Sequence, residues 1–404
     1  MRNIEEALAD ASIRDYSGLL ELDATELARY AADASNGWWK RQLCALALVG
    51  RVPEDYVGDL IARVRDFGEV NEVRAALLEA LADREELLPW LRDEAGKLSQ
   101  ASKPSVLQAR GRLGDRTAVP QLVFLAASPW AHEGRLGRAG VDALVERYGL
   151  ETILADIGGQ SPEARIAQVR LQAAGGLDVS YALADEDRAV AYTAQALVED
   201  VARLRAYRDE APTDEAKLWA AYRLYQLTED QDEARATYEE LGRPRIEVPG
   251  LDEDMRRVIV REYAGCSQRR TDPRWRIELI CTEAPPERDE AAEAAELNHA
   301  LAALTAAGLE PQPPVSAGQH HHQGDGTYHV VTVGSGNLAV STLGRYATEY
   351  SGDPDPAART ALETAGFQWI DADVAAIRVT DLCVYHFGHR SDLTVAELLF
   401  YWQD

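Results

Sequence analysis

The side chains best suited to chemistry crowd the end of this chain. Seven of the eight histidines lie beyond residue 298: His299, His320, His321, His322, His329, His386 and His389. Imidazole is a common ligand for zinc, copper and nickel. The stretch CVYHFGH sets Cys383, His386 and His389 at C-x2-H-x2-H spacing, which makes them the candidate metal ligands. Side chains alternate along a regular strand, however, so Cys383 and His386 are expected on opposite faces. A structural zinc site also shows two tight ligand pairs, and this sequence has none. Metal chemistry therefore belongs to an alternative reading, in which the C-terminal domain is a metal-dependent or small-molecule enzyme. The leading reading needs no cofactor. His320, His321 and His322 sit in a run rich in proline and glycine, expected to be an exposed surface loop with no metal joining it to His386 or His389.

Other candidate motifs are weaker. Glu296 and His299 form a single E-x-x-H on a predicted helix, whereas carboxylate-bridged di-metal bundles need two such pairs; a solvated helix face is expected. GSG at Gly334–Gly336 is followed by LAVSTLG, which reads as a strand. A phosphate loop would run into a helix, so a hairpin turn is expected. No G-x-S-x-G or Walker motif occurs.

The elements that must position these residues change character along the chain. Up to about residue 241 apolar residues recur with the helical period. The clearest joint is RLGDRTAVPQL, Arg112 to Leu122. A helix is expected to end at Leu113-Gly114. Asp115 can then cap the next helix, and Pro120 sits in its first turn, where a missing N–H costs least. Ser161-Pro162 and Ser128-Pro129 read as further helix openings, and Thr213 as another. Second helices are expected at Trp38–Gly50, Asn71–Asp83, Lys103–Asp115, His132–Gly149 and Ser161–Gly176, starting roughly 30 residues apart, within the range of stacked helical arrays.

This joint resembles the turn inside a HEAT repeat, and the resemblance covers residues about 20 to 200. It implies an α-solenoid of antiparallel helix pairs whose second helices line a concave partner-binding face. By that resemblance Arg110, Arg135 and Arg138 are the candidate partner-binding residues. They lie in the only basic stretch of the array, with seven basic and four acidic residues over 101–150. HEAT-like DNA glycosylases hold damaged DNA with tryptophans in a basic groove. Here Trp38, Trp39, Trp90 and Trp130 stand among acids, so packing between repeats is expected of them.

After GRPRIEVPG, Gly242 to Gly250, the pattern turns mixed. A short helix is expected near Asp252–Tyr263 and a strand at Trp275–Cys281. A helix follows at Glu287–Ala307, then a strand pair at Tyr328–Val333 and Leu338–Leu343. The expected sequel is a helix at Asp355–Ala365, strands near Phe367–Ile370 and Ala376–Phe387, and a helix at Leu393–Tyr401. The fold class is thus mainly α: a HEAT-like N-terminal solenoid over 1–242, a linker at 243–250, and a smaller α+β domain over 251–404 with a mainly antiparallel sheet. No family is recognised in that last part.

Charge limits the partners. The 404 residues carry 42 Lys+Arg against 68 Asp+Glu, a formal net charge of −26. Acidic residues outnumber basic ones 44 to 30 up to Gly250 and 24 to 12 after it. Phosphate contacts dominate nucleic-acid affinity, so duplex binding is not expected. A basic protein partner is favoured, because opposite fields steer encounter. The N-terminal residues lack an apolar signal segment, no apolar run approaches the ~20 residues of a membrane span, and the four cysteines form no C-x-x-C pair. A cytoplasmic location with reduced thiols is expected. The reading is a non-enzymatic binding protein whose HEAT-like array and acidic α+β domain together grip another protein, an immunity or neutralising partner of a basic protein being one concrete form.

Overall fold

The computed structural model describes residues 3–128, 130–282, 289–387 and 389–403. The chain forms two compact units, Met1–Leu177 and Asp178–Asp404.

The first unit is helical. Its main helices are α1 (Ile4–Asp10), α2 (Ala24–Ala32), α3 (Trp38–Ala47), α4 (Val57–Arg65), α5 (Asn71–Ala80), α6 (Leu88–Asp93), α7 (Lys103–Arg112), α8 (Val119–Ala126), α9 (Ala131–Tyr148), α10 (Leu150–Ile157) and α11 (Pro162–Ala174). Among the described residues the first strand comes only at Val315, as the early dominance of the helical period predicts. Leucines at helical spacing, such as Leu60 in α4 and Leu77 in α5, are fully buried in one core. A second core joins Leu122 of α8, Val141 and Leu144 of α9, Ile153 of α10 and Leu171 of α11.

The Asp115 joint forms as the sequence predicts. Leu113 ends α7, and Gly114 takes a left-handed φ of 84°, the conformation glycine adopts at helix ends. The Asp115 carboxylate accepts from Thr117 N at 3.2 Å and Thr117 Oγ1 at 2.7 Å. Ser161 caps α11 through Ala164 N, with Pro162 at the first position. At the other predicted opening Pro129 lies outside the described residues, and α9 begins at Ala131 with Trp130 as its cap residue. Helix α9 presents Gly134, Gly137 and Gly140 inward. A Cβ at Gly137 would stand 2.8 Å from Ala126 Cα and from Leu122 O. These glycines let α9 lie almost backbone to backbone on α8 and α7.

The second unit starts with four helices, α12 (Arg188–Leu197), α13 (Val201–Glu210), α14 (Asp214–Thr228) and α15 (Gln231–Glu240). Thr213 caps α14 by accepting from Ala216 N. The 243–250 segment holds no helix, and Ile246 and Val248 are buried in the unit's core. Then come α16 (Glu253–Ile259), continued by a wider turn to Ala264, and α17 (Pro273–Cys281). The strand expected at Trp275–Cys281 is therefore a helix. Asp272 caps it by accepting from Arg274 N, and Pro273 takes its first position. Arg276 and Glu278 are buried along with Trp275, Ile277 and Ile280, so their alternation with apolar residues imitates a strand without marking a solvent face. Ile277 and Ile280 pack against Leu218 and Tyr222 of α14 and Tyr238 of α15.

Helix α18 (Glu290–Ala306) lies within the run predicted to be helical, of which residues 287 and 288 fall outside the described residues. Strands β1 (Val315–Ser316), β2 (Asp325–Gly326), β3 (Tyr328–Val333), β4 (Gly336–Ser341) and β5 (Tyr346–Ser351) follow. After them come α19 (Pro356–Thr364), β6 (Gln368–Trp369), β7 (Arg378–His386), β8 (His389–Thr394), α20 (Val395–Leu399) and β9 (Trp402–Gln403). The main sheet has the order β1-β3-β4-β5-β6 and is antiparallel except for the β5–β6 pair. Val333 pairs with Gly336, so GSGN is the hairpin turn expected. Val331, Val333, Leu338 and Val340 face Ala300 and Leu304 of α18 and Ala358 and Leu362 of α19. Strands β7 and β8 form a separate hairpin. The fold class is thus helical followed by α+β. Among the described residues no helix is long and apolar enough to cross a membrane.

Candidate partner-binding groove

Of the three arginines that the resemblance singled out, one lines a groove. Arg138 of α9 does so together with Val141 and Asp142. The facing wall is Val123 and Ala126 of α8. One face of α11, spaced 163, 166, 167, 170, 171 and 174, closes the third side. The groove encloses about 210 Å³. Its lining is mostly apolar, with Asp142, Glu163, Arg138 and Arg170 as the charged groups. Partial desolvation pushes the Asp142 carboxyl up, and the Arg138 charge opposes that. Phe124 of α8, next in sequence to the lining Val123 but not itself part of the lining, is 73% exposed.

Arg110 does other work. Its Nε donates to Asp115 at 2.8 Å and its guanidinium reaches Thr117 Oγ1 at 3.2 Å. Arg92 donates to the other Asp115 oxygen at 2.9 Å. Burial pushes the Asp115 carboxyl up. Hydrogen bonds from Arg92, Thr117 and Arg110 overcome that and hold it well below the usual carboxylate range. Arg110 is thus bound into the joint. Arg135 is exposed on α9 and is not part of the groove lining.

The tryptophans also depart from expectation. Trp38, Trp39 and Trp130 are 47%, 42% and 61% exposed, and of the four only Trp90 packs inward, against Phe67 at 6.3 Å. With Phe124 they leave a largely helical unit with aromatic rings in water. Sequence reasoning missed Phe124, although a lone Phe in VPQLVFLA breaks an otherwise small-aliphatic run.

The histidines separate. The 317–320 segment is one helical turn, closed by a reciprocal cap between Ser316 and Gln319. His321 is not an exposed loop residue. It stacks on Trp402 at 3.9 Å and its Nε2 lies 2.9 Å from Tyr328 Oη. Burial lowers its pKa, helped by the charges of His320 and His322. The sequence hides this pinning because Trp402 comes from the distant strand β9. His322 alone of the three is exposed.

Cys383 is buried, and burial, then the Asp392 charge, raises its thiol pKa. His386 contacts the rings of Phe387 and Tyr401. The backbones of His386 and His389 pair at the hairpin end, and the His389 side chain lies outside the described residues. Among the described residues no three His, Cys, Asp or Glu side chains are placed to hold a metal ion. Glu296 pairs with Arg345 at 2.8 Å, and His299 Nε2 lies 2.9 Å from Ala365 O, so the E-x-x-H pair ties α18 to its neighbours rather than facing only solvent. Comparison with family models, with curated proteins and with solved structures finds no match.

Proposed function

We propose that the chain is a non-enzymatic protein-binding protein. In this reading the first unit acts as a HEAT-like array, and the α8–α9–α11 groove takes an apolar segment of a basic partner. The observation that carries it is the groove itself: an apolar floor bearing Asp142, Glu163, Arg138 and Arg170, with the exposed Phe124 next in sequence to its lining Val123. An exposed aromatic next to an apolar cleft is the composition of an interface anchor. The net charge of −26 favours a cationic partner and would speed its approach. A neutralising role against a basic protein fits both features, and a reducing, cytoplasmic setting fits four cysteines without a disulfide.

The test is site-specific cross-linking. A photoreactive phenylalanine derivative replaces Phe124 in one sample and Ile13, exposed elsewhere, in another. The reading expects an adduct specific to position 124, formed with a basic protein. That protein, once purified, should bind the wild type and lose affinity for Phe124→Ser. An adduct common to both positions, or a partner indifferent to Phe124→Ser, contradicts it.

A further inference from the structure

A second feature lies wholly within the other unit. The loop carrying Arg269 and Arg270 is fastened to β7 on both sides. Gln268 N donates to Cys383 O at 2.7 Å, and Asp272 N donates to Asp381 O at 2.9 Å. Thr271 Oγ1 accepts from Cys383 N at 2.9 Å and donates to Cys383 O at 3.2 Å. Buried Arg276 donates to the carbonyls of Ser267 and Gln268. Thr271 and Asp272 are completely buried. Between these locked positions Arg269 and Arg270 have no hydrogen bond or ion pair among the described residues.

Arg390 of β8 joins them. Its Nε donates to Gln268 Oε1 at 3.1 Å and its guanidinium lies over the Tyr385 ring. It has no carboxylate within 4 Å among the described residues. Burial lowers the Arg269 pKa, and the charges of Arg390 and Arg270 lower it further. Three guanidinium groups therefore lie near one another with no ion-pair partner among the described residues, the more distant Asp187 charge opposing their effect at Arg269, in a chain with 68 acidic and 42 basic side chains. The contrast is local. Arg188, which lines the same cavity, has Glu215 at 3.2 Å, Asp272 at 2.6 Å and Asp381 as partners.

The cavity is about 410 Å³, and Arg270, Arg390 and Ser391 line it. That volume lies in the range of small-molecule sites. Asp381 is held at a left-handed φ of 61° where the β7 register slips between Arg378 and Cys383. Aspartate tolerates that conformation, and such irregularities commonly re-aim side chains beside binding sites. Here the slip turns the Asp381 carboxylate to Arg188 and leaves the other arginines open.

We propose that Arg270 and Arg390, with Arg269 beside Arg270 on the same loop, form a binding site for a small phosphate monoester. Guanidinium forks match phosphoryl oxygens bidentately, and the anion would relieve the crowding of like charges. Glu186, Asp187 and Asp392 also line the cavity. They repel an extended polyanion and favour a monoester whose remainder is neutral or cationic. The site is independent of the groove on the first unit.

The test is calorimetric titration of the full chain with phosphoethanolamine and with glycerol phosphate. Sulfate and acetate serve as comparison anions, all at one ionic strength. The proposal expects saturable binding of the monoesters, weakened about tenfold or more by Arg270→Gln or Arg390→Gln and abolished by the Arg269→Gln/Arg270→Gln pair. Because Arg269 and Arg270 have no hydrogen bond or ion pair among the described residues, Arg270→Gln and the double variant should keep or raise the melting temperature, and phosphoethanolamine should raise it in the wild type alone. No saturation with a Kd of ~1 mM or tighter, equal binding of sulfate and acetate, or full binding by the double variant would overturn it. So would a lowered melting temperature in Arg270→Gln, which would make the cluster structural.

Discussion

Asp115 shows how one carboxylate can hold a helical joint. It is fully buried, caps the turn into α8, and binds Arg92 and Arg110 at once. Breaking a buried pair from one side leaves the remaining charge unsatisfied. Asp115→Ala should therefore lower stability by about 3 kcal/mol at neutral pH, read by urea denaturation. The sign of its pH dependence follows from the folded carboxyl being held below its ordinary value. The contribution is complete above the unfolded pKa of ~3.9 and is lost progressively as pH falls from there through the lower folded pKa. The gap between variant and wild type should accordingly narrow below about pH 4. A gap unchanged down to pH 2.5, well below that ~3.9 value, would show that packing, not charge, makes the contribution.

At the scale of elements, helix ends and helix faces decide the packing. Arginines repeatedly close orphan carbonyls of neighbouring segments. Arg51 donates to the carbonyls of Leu19, Leu20 and Leu22, and Arg74 to those of Val64, Asp66 and Glu69. A planar fork with five donors suits this better than an ammonium group. The glycines of α9 act by absence. Gly137→Ala should destabilise despite alanine's better helix propensity, because its Cβ meets the backbone of α8. Gly58 of α4 has nothing within 4 Å of such a Cβ, so Gly58→Ala should stabilise by roughly 1 kcal/mol. Melting curves of the two variants should move in opposite directions, and a matched shift would contradict the close approach of α9.

The same elements show what was legible beforehand. The caps at Asp115, Ser161 and Thr213 were plain because their chemistry is local. The β3–β4 hairpin was plain because its turn residues and alternation agree. Helix α17 was misread because its buried Arg276 and Glu278 alternate with apolar residues as in a strand, although Asp272-Pro273 carried the cap. Strands β5 and β8 were missed, since TEYS and RSD look like loop until a partner strand fixes them. Of the candidate binding residues only Arg138 reaches the groove. Arg110 went astray because helical spacing gives its face but not the carboxylate that claims it. The arginine cluster around Arg390 was invisible for a similar reason: about 120 residues of sequence separate Arg390 from the loop it joins.

For the whole molecule, net charge and surface chemistry point the same way. With −26 charges and a Debye length of ~8 Å at physiological salt, duplex DNA should show no salt-sensitive binding. We propose that the α8–α9–α11 groove holds an apolar segment flanked by positive charge. The most direct measurement is fluorescence anisotropy with two labelled amphipathic helical peptides. Both carry the same apolar face, one flanked by lysines and the other by glutamates. The account predicts that the lysine peptide binds, weakens as salt rises, and loses affinity for Phe124→Ser and for Ile166→Glu, while the glutamate peptide does not bind. Equal affinity for both peptides, or lysine-peptide binding untouched by Phe124→Ser, would contradict it.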